Sequence, residues 1–511
     1  MTKWSNLPKG SFTGINWAQP DATKGFDPYL VWAEADDFAG YGLKKPPKWL
    51  PLLVELTPNT SIAAFIAAGS SSWLKVPLVY TSTTAPAGLR YCTAQVRPAF
   101  FKQIRPGGSL HLLVKRVELG LPATTVRAKS TPPKQLPGQP AQPLLKGKVM
   151  GLIDGGLAFA NANFLRNGKA RTKYFWRQDT NGVGRMPHQL GYGYELTAAD
   201  IDQAMQANTY NGLVDEDAVY KDFQLWDLEK SINHGTHVMD LACGPRTMLA
   251  QMAGAPPSID APPSWAPAND AASACDIVAV QLDWQTVLDT SGGSMNVHIM
   301  DGLMYILSRC ENDTKVAATI SWGTLAGPHD GSSILEAAID ELITLKNGLL
   351  HIIVPAGNSY QSRTHANATL AKNKDVVFHW HGQPGDKTQN FLELWLPPGA
   401  HGLTIELKPP GNSALPPLAW GESKMWADHG KPLCALIYPK VVATGTRGTC
   451  ALIAVAPTFS FEESTTTAPS GVWQIKLTNT AAASVTVDAY IERDDVAIGT
   501  NTGARQSYFE D

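Results

Sequence analysis

From residue 147 to about residue 360, short apolar runs alternate with stretches of helical pattern, and nothing else restricts the fold so strongly. Val149–Ile153, Ile277–Leu282, Val297–Cys310, Val316–Ser321, Ile334–Leu345 and Leu350–Val354 follow one another in that rhythm. Strands that read as continuous apolar runs are buried on both faces, and crossovers between them make their neighbours parallel. An α/β core built on a parallel sheet is expected. Within it Ile334–Leu345 sets Leu335, Ile339, Leu342 and Ile343 on one helical face, which should cover the sheet.

On either side the pattern differs. After about residue 375 there are seven strand candidates separated by Pro and Gly: VVFHWHG, NFLELWLP, GLTIELKPPG, LCALIYP, TCALIAVAP, GVWQIKLTN and SVTVDAYIERDD. Alternation without a helix among them predicts a β-sandwich over 375–495, followed by a C-terminal tail, 496–511. Residues 1–117 mix strand-like Leu50–Leu56 and Leu78–Thr81 with a helical candidate, Thr60–Ala68, which suggests a small α+β unit. Six prolines between Leu121 and Pro143 mark 118–146 as a linker, leaving 147–374 as the α/β core.

The 511 residues are 44% hydrophobic and 17% charged, enough to bury a core, which excludes global disorder. A net charge of -3 offers no electrostatic footprint for nucleic acid. The first residues, MTKWSNLPKGSFTGINW, hold no apolar signal-peptide region, and no run approaches the roughly 18 apolar residues of a membrane span. A cytoplasmic protein is expected. Cys92, Cys243, Cys275, Cys310, Cys434 and Cys450 lie far apart with no CxxC pair, which argues against zinc and disulfides and for small buried side chains.

Three motifs in the α/β region bear chemistry. KVMGLIDGG runs a buried strand into Asp154 and two glycines, which puts a carboxylate at the sheet edge where open α/β folds gather their sites. Asn233-His234-Gly235-Thr236-His237 opens a helix with an imidazole that can face the same edge; by itself the His pair could instead be a metal site or surface, but HExxH is absent and no third ligand is evident nearby, so no metal is expected. In LLHIIVPAGN a strand delivers Asn358, whose amide could donate to an oxyanion. Alone, Asp-Gly-Gly and Gly-Asn are turns.

Taken together, in this order, the motifs resemble the subtilisin-like serine peptidases (subtilases, peptidase family S8) over roughly residues 147–360. VAATISWG and ILEAAIDELITLKNGLLHIIVPAGN look like that family's substrate-lining strand, its next helix and the strand leading to the oxyanion Asn. The resemblance implies a subtilisin-like parallel sheet and a serine endopeptidase acting on protein or peptide substrates. Asp154 would orient the imidazole, His234 would be general base and then acid, and Asn358 would bind the oxyanion. Ser321, Trp322 and Gly323 would form a wall of the specificity pocket and pair with an extended substrate. Gly155 stands where the family usually has Ser or Thr, and the Asp-to-His separation of 80 residues is long. The excess reads as a surface insertion near the site. Residues 1–117 match a propeptide in placement or are an accessory domain. No cofactor is expected from the residues; the resemblance allows calcium, which is common in that family, but the sequence does not place its oxygen ligands.

The family's nucleophile lies in Gly-Thr-Ser, which is absent from the chain. Cys450, in Gly-Thr-Cys, is followed by a strand pattern, and Ser413, in Gly-Asn-Ser, by Pro416 and Pro417, which cannot begin a long helix. The reading therefore takes the catalytic serine from outside these residues, on a second chain or a C-terminal segment, with no nucleic-acid or membrane partner. The alternative is an inactive relative binding an extended peptide or a partner protein. A glycan-binding role for Trp380, Trp395, Trp420, Trp426 and Trp473 is a third reading, against core packing as the commoner use of Trp.

Overall fold

The structure, a computed structural model, describes residues 3–19, 27–39, 46–120, 134–138, 143–179, 182–226, 228, 233–248, 265–282, 295–440, 448–460, 467–494 and 506–510. Six strands make the α/β sheet, in the order Tyr194–Thr197, Thr172–Arg177, Asp276–Gln281, Lys148–Asp154, Lys315–Ile320, Leu350–Ile353. All neighbours are parallel except Tyr194–Thr197, which is antiparallel to Thr172–Arg177. Lys148–Asp154 is interior and exposes only Lys148, the physical origin of its unbroken apolar run.

Two helices cover one face of this sheet. Val149, Ile153, Val316, Ala318 and Leu350 share a core with residues of Met295–Ser308 and Ile334–Leu345. Ile334–Leu345 opens with a capping box between Ser333 and Glu336. Its deepest residues are Ile334, Ala338 and Leu342, while Leu335, Ile339 and Ile343 pack at the margin, so the covering face is rotated slightly from the expected one.

Met295–Ser308 buries every residue but Asn296, because a second sheet lies on its other side. That sheet has the order Leu74–Lys75, Tyr91–Val96, Leu50–Leu56, Val114–Leu119. The junction is polar at one point. Asp301 of the helix accepts hydrogen bonds from Tyr80 Oη (2.9 Å), Thr93 Oγ1 (2.6 Å) and Tyr192 Oη (2.7 Å). At the rim, Arg90 grips Glu341 through Nε (2.8 Å) and its backbone N–H (2.6 Å). The helical candidate forms as Ile62–Ala68, with Ser61 as N-cap. Leu78–Thr81 is a 3₁₀ turn and not a strand; it follows Pro77 and sends Tyr80 inward to Asp301. Most of the 118–146 linker lies outside the described residues; inside it Lys134–Gln135 pairs in parallel with Val183–Gly184.

Beyond residue 364 a seven-stranded and a four-stranded sheet share one apolar core. Each of the seven strand candidates is present as a strand, from Asp375–Gly382 to Val485–Ile491. His365–Leu370, Ser423–Asp428 and Tyr508–Phe509 join them, so the sandwich is wider than 375–495 and takes in part of the tail. The N-terminus departs most from expectation. Lys3–Asn6 forms the edge of the seven-stranded sheet, paired antiparallel with Ser423–Asp428, and Trp17, Val31 and Trp32 sit in the sandwich core. The helix Pro28–Ala35 turns Leu30 and Ala33 to the α/β side, so it belongs to both cores. Trp380, Trp395, Trp426 and Trp473 are buried, and Trp420 stacks on His401, so these rings do not form an open sugar-stacking face.

Candidate active site

Asp154 ends its strand and is buried. Its Oδ1 accepts from the Gly155 N–H (2.6 Å) and lies 2.8 Å from His234 Nδ1, with Oδ2 at 3.1 Å. His234 opens the helix His234–Cys243, whose Gly235, Met239 and Cys243 face the core. The close approach depends on Gly235. Its N–H donates to Gly155 O (2.9 Å), and a Cβ there would lie 2.7 Å from that oxygen and 3.0 Å from Asp154 Cβ. Thr236 completes the clamp, its hydroxyl donating to Gly156 O (2.7 Å) and accepting from the Ala158 N–H (3.0 Å).

Burial raises the Asp154 pKa, opposed by its hydrogen bonds from His234 and Gly155. The bond to Asp154 raises His234 above the ordinary imidazole value, while burial and the charge of Arg493 pull it back. The His234 side chain is 61% exposed beside an Asp154 side chain at 4%, so a buried acid orients an open imidazole. With Nδ1 bonded to the carboxylate, Nε2 is the nitrogen left to exchange a proton with a reactant.

Ser321, Trp322 and Gly323 follow directly on the strand Lys315–Ile320, next to the Asp154 strand. A Cβ on Gly323 would meet nothing within 4 Å, so its backbone borders open space. Asn358 is exposed, in a bend after Leu350–Ile353, with Gly357 at φ 80. Ser413 lies on an exposed turn between sandwich strands, and Cys450 lies in the strand Thr449–Val455 opposite Trp395. Neither bonds to His234, and among the described residues the hydrogen-bond partner of its ring is Asp154.

Among the described residues, cover over the sheet stops short on the His234 side. Met150, Ala317 and His351 are register partners across three strands, as are Leu152, Thr319 and Ile353. Met150 and Leu152 are buried under the segment that includes Met239, whereas His351, Ile353 and Val354 are exposed. Among the described strands Leu350–Ile353 has one neighbour. On the helix, His234, His237 and Leu241 form an exposed stripe at i, i+3 and i+7. Among the described residues no group of three or more His, Cys, Asp or Glu side chains is gathered as for a metal ion.

Sequence reasoning missed Arg493, whose guanidinium stands over the Trp322 ring (5.0 Å) and whose charge reaches His234. No local signal could have found it, because 171 residues of fold bring it there from the sandwich.

Neither a scan of protein-family models nor a search of curated proteins gives a match. Among solved structures, the chain is similar to the Clostridium perfringens CspB protease at a TM-score of 0.48 and 18% identity. The similarity covers 72% of this chain and 65% of that one, so the chain spans less than two thirds of that protein.

Proposed function

We propose that this chain carries the Asp/His half of a subtilisin-type serine endopeptidase and takes its nucleophile from outside these 511 residues. The observation that carries the reading is the bond from His234 Nδ1 to the buried Asp154 at the C-terminal end of an interior parallel strand. That pairing fixes the tautomer and leaves Nε2 as the base. The exposed stripe that begins at His234, and the exposed Ile353 and Val354 at the end of the last described strand, support room for a further helix and strand.

In the proposed reaction His234 Nε2 removes the proton from a serine hydroxyl as its oxygen attacks the peptide carbonyl carbon. Charge then develops on the carbonyl oxygen, where the Asn358 amide donates a hydrogen bond. The protonated imidazole, stabilised by Asp154, gives its proton to the departing amine, leaving an acyl-enzyme. Water, deprotonated by the same imidazole, attacks that ester and releases the acid. Ser321–Gly323 would hold the substrate as an added strand.

The purified 511-residue chain should react negligibly with a fluorophosphonate. Strong labelling at Ser413, or thiol-dependent peptidase activity lost in Cys450→Ala, would contradict the external nucleophile.

A further inference from the structure

The turn after the substrate wall is held by the sandwich. Leu325, Ala326 and Gly327 point their backbone N–H groups at two buried carboxyl groups of that domain. Glu492 accepts from Leu325 at 3.1 Å and Ala326 at 3.4 Å, and Glu393 accepts from Gly327 at 2.8 Å. Both acids are braced. Glu393 also accepts from Tyr29 Oη (2.8 Å) and Trp395 Nε1 (2.6 Å), and Glu492 from the Arg493 N–H (2.7 Å).

The same strand end makes two ring contacts with this segment. Tyr490 stacks on His329 with centroids 4.1 Å apart, and Arg493 covers the Trp322 ring. Residues 490–493 thus meet the stretch from Trp322 to His329 at both ends and in the middle. A loop leaving a sheet edge has no ladder to fix it, so buried acceptors for consecutive amides set its path.

We infer that Glu492, Glu393 and Arg493 are positioning residues that make the sandwich set the substrate-lining segment against the Asp154–His234 pair. The inference rests on the reading of Ser321–Gly323 as a substrate wall. On it, the sandwich is part of the recognition machinery, and changes at the end of the strand Val485–Ile491 alter how a peptide is held.

Three measurements on the full chain separate this inference from that reading. In hydrogen exchange, Glu492→Ala should speed the amides of Leu325 and Ala326 at least about tenfold while the strand Val485–Ile491 keeps its protection; Glu492→Gln, which keeps one acceptor oxygen and turns the other into a donor, should restore the closer Leu325 amide but not Ala326. In NMR, Arg493→Ala should raise the His234 titration point, because a nearby positive charge has been removed. Fluorescence polarisation with fluorescein-labelled casein should show weaker binding in Glu492→Ala than in the parent.

Unchanged exchange at Leu325 and Ala326 in both Glu492→Ala and the Glu393→Ala, Glu492→Ala double variant would overturn the inference. So would a loosened turn that leaves casein binding at its parental strength. A parent chain that binds no casein would count against the substrate-wall reading instead, and exchange and the His234 titration would then decide alone whether Glu492, Glu393 and Arg493 position the segment.

Discussion

The placement of Asp154 and His234 was legible at the level of single residues because each stands where a strand or helix meets the sheet edge, and the local sequence marks both junctions. Their coupling makes a titration prediction. Replacing Asp154 by Asn should lower the His234 titration point toward the ordinary histidine value, followed by its ring proton shifts; no change would separate the two residues. For a histidine whose folded pKa is raised, the stabilisation is fully present below about 6.5 and is lost as pH rises through the folded value. The parent should therefore lose stability relative to Asp154→Asn across that interval. Gly235→Ala should cost about 1–3 kcal/mol through overpacking against Gly155 O and Asp154 Cβ, read as a lower urea midpoint. Arg493 and Glu492 were not legible, since nothing near them in sequence announces a neighbour more than 160 residues away.

Individual elements followed the sequence where periodicity and burial agree. The seven sandwich strands and Ile334–Leu345 alternate or repeat strongly enough to be read directly. Lys3–Asn6 and Tyr508–Phe509 are too short to carry a pattern, and their pairing is set by the sheets they join. Leu78–Thr81 has a strand-like run, but the contact of Tyr80 with Asp301 favours a turn. Buried acids at the joints between elements give these contacts a common pH dependence. Burial pushes Asp301 up to about 6, Asp27 up to about 7 and Glu492 up to about 8. An acid whose folded pKa is raised binds its proton more tightly when folded, so stability falls as pH rises from the unfolded value through the folded one. The urea midpoint should be higher at pH 5.5 than at pH 8.5, and Glu492→Gln should flatten that slope; a slope unchanged in the variant would remove Glu492 from the account. Asp301→Leu strands three hydroxyls and should cost about 3 kcal/mol at neutral pH.

Across the whole molecule the division into units was partly legible: the α/β rhythm and the sandwich were, but the path of the N-terminus was not. Its first strand and Trp17 complete the sandwich, and residues 50–119 cover the α/β helices. Hydrophobic pattern tells which residues are buried and not which core receives them. Removal of residues 1–39 should therefore expose sandwich core, seen as rapid proteolysis and a lower unfolding midpoint for that domain, whereas removal of an independent leader would leave both unchanged. Whether Asp154 and His234 serve a nucleophile from outside this chain is tested by labelling the protein in the state its own cells contain. Affinity-purified native protein would be treated with a fluorophosphonate and the modified residue located by mass spectrometry. A labelled serine outside residues 1–511 is expected, with labelling reduced on the order of 10³-fold or more in His234→Ala. A native preparation in which no serine is labelled, or in which the label persists in His234→Ala, would contradict it.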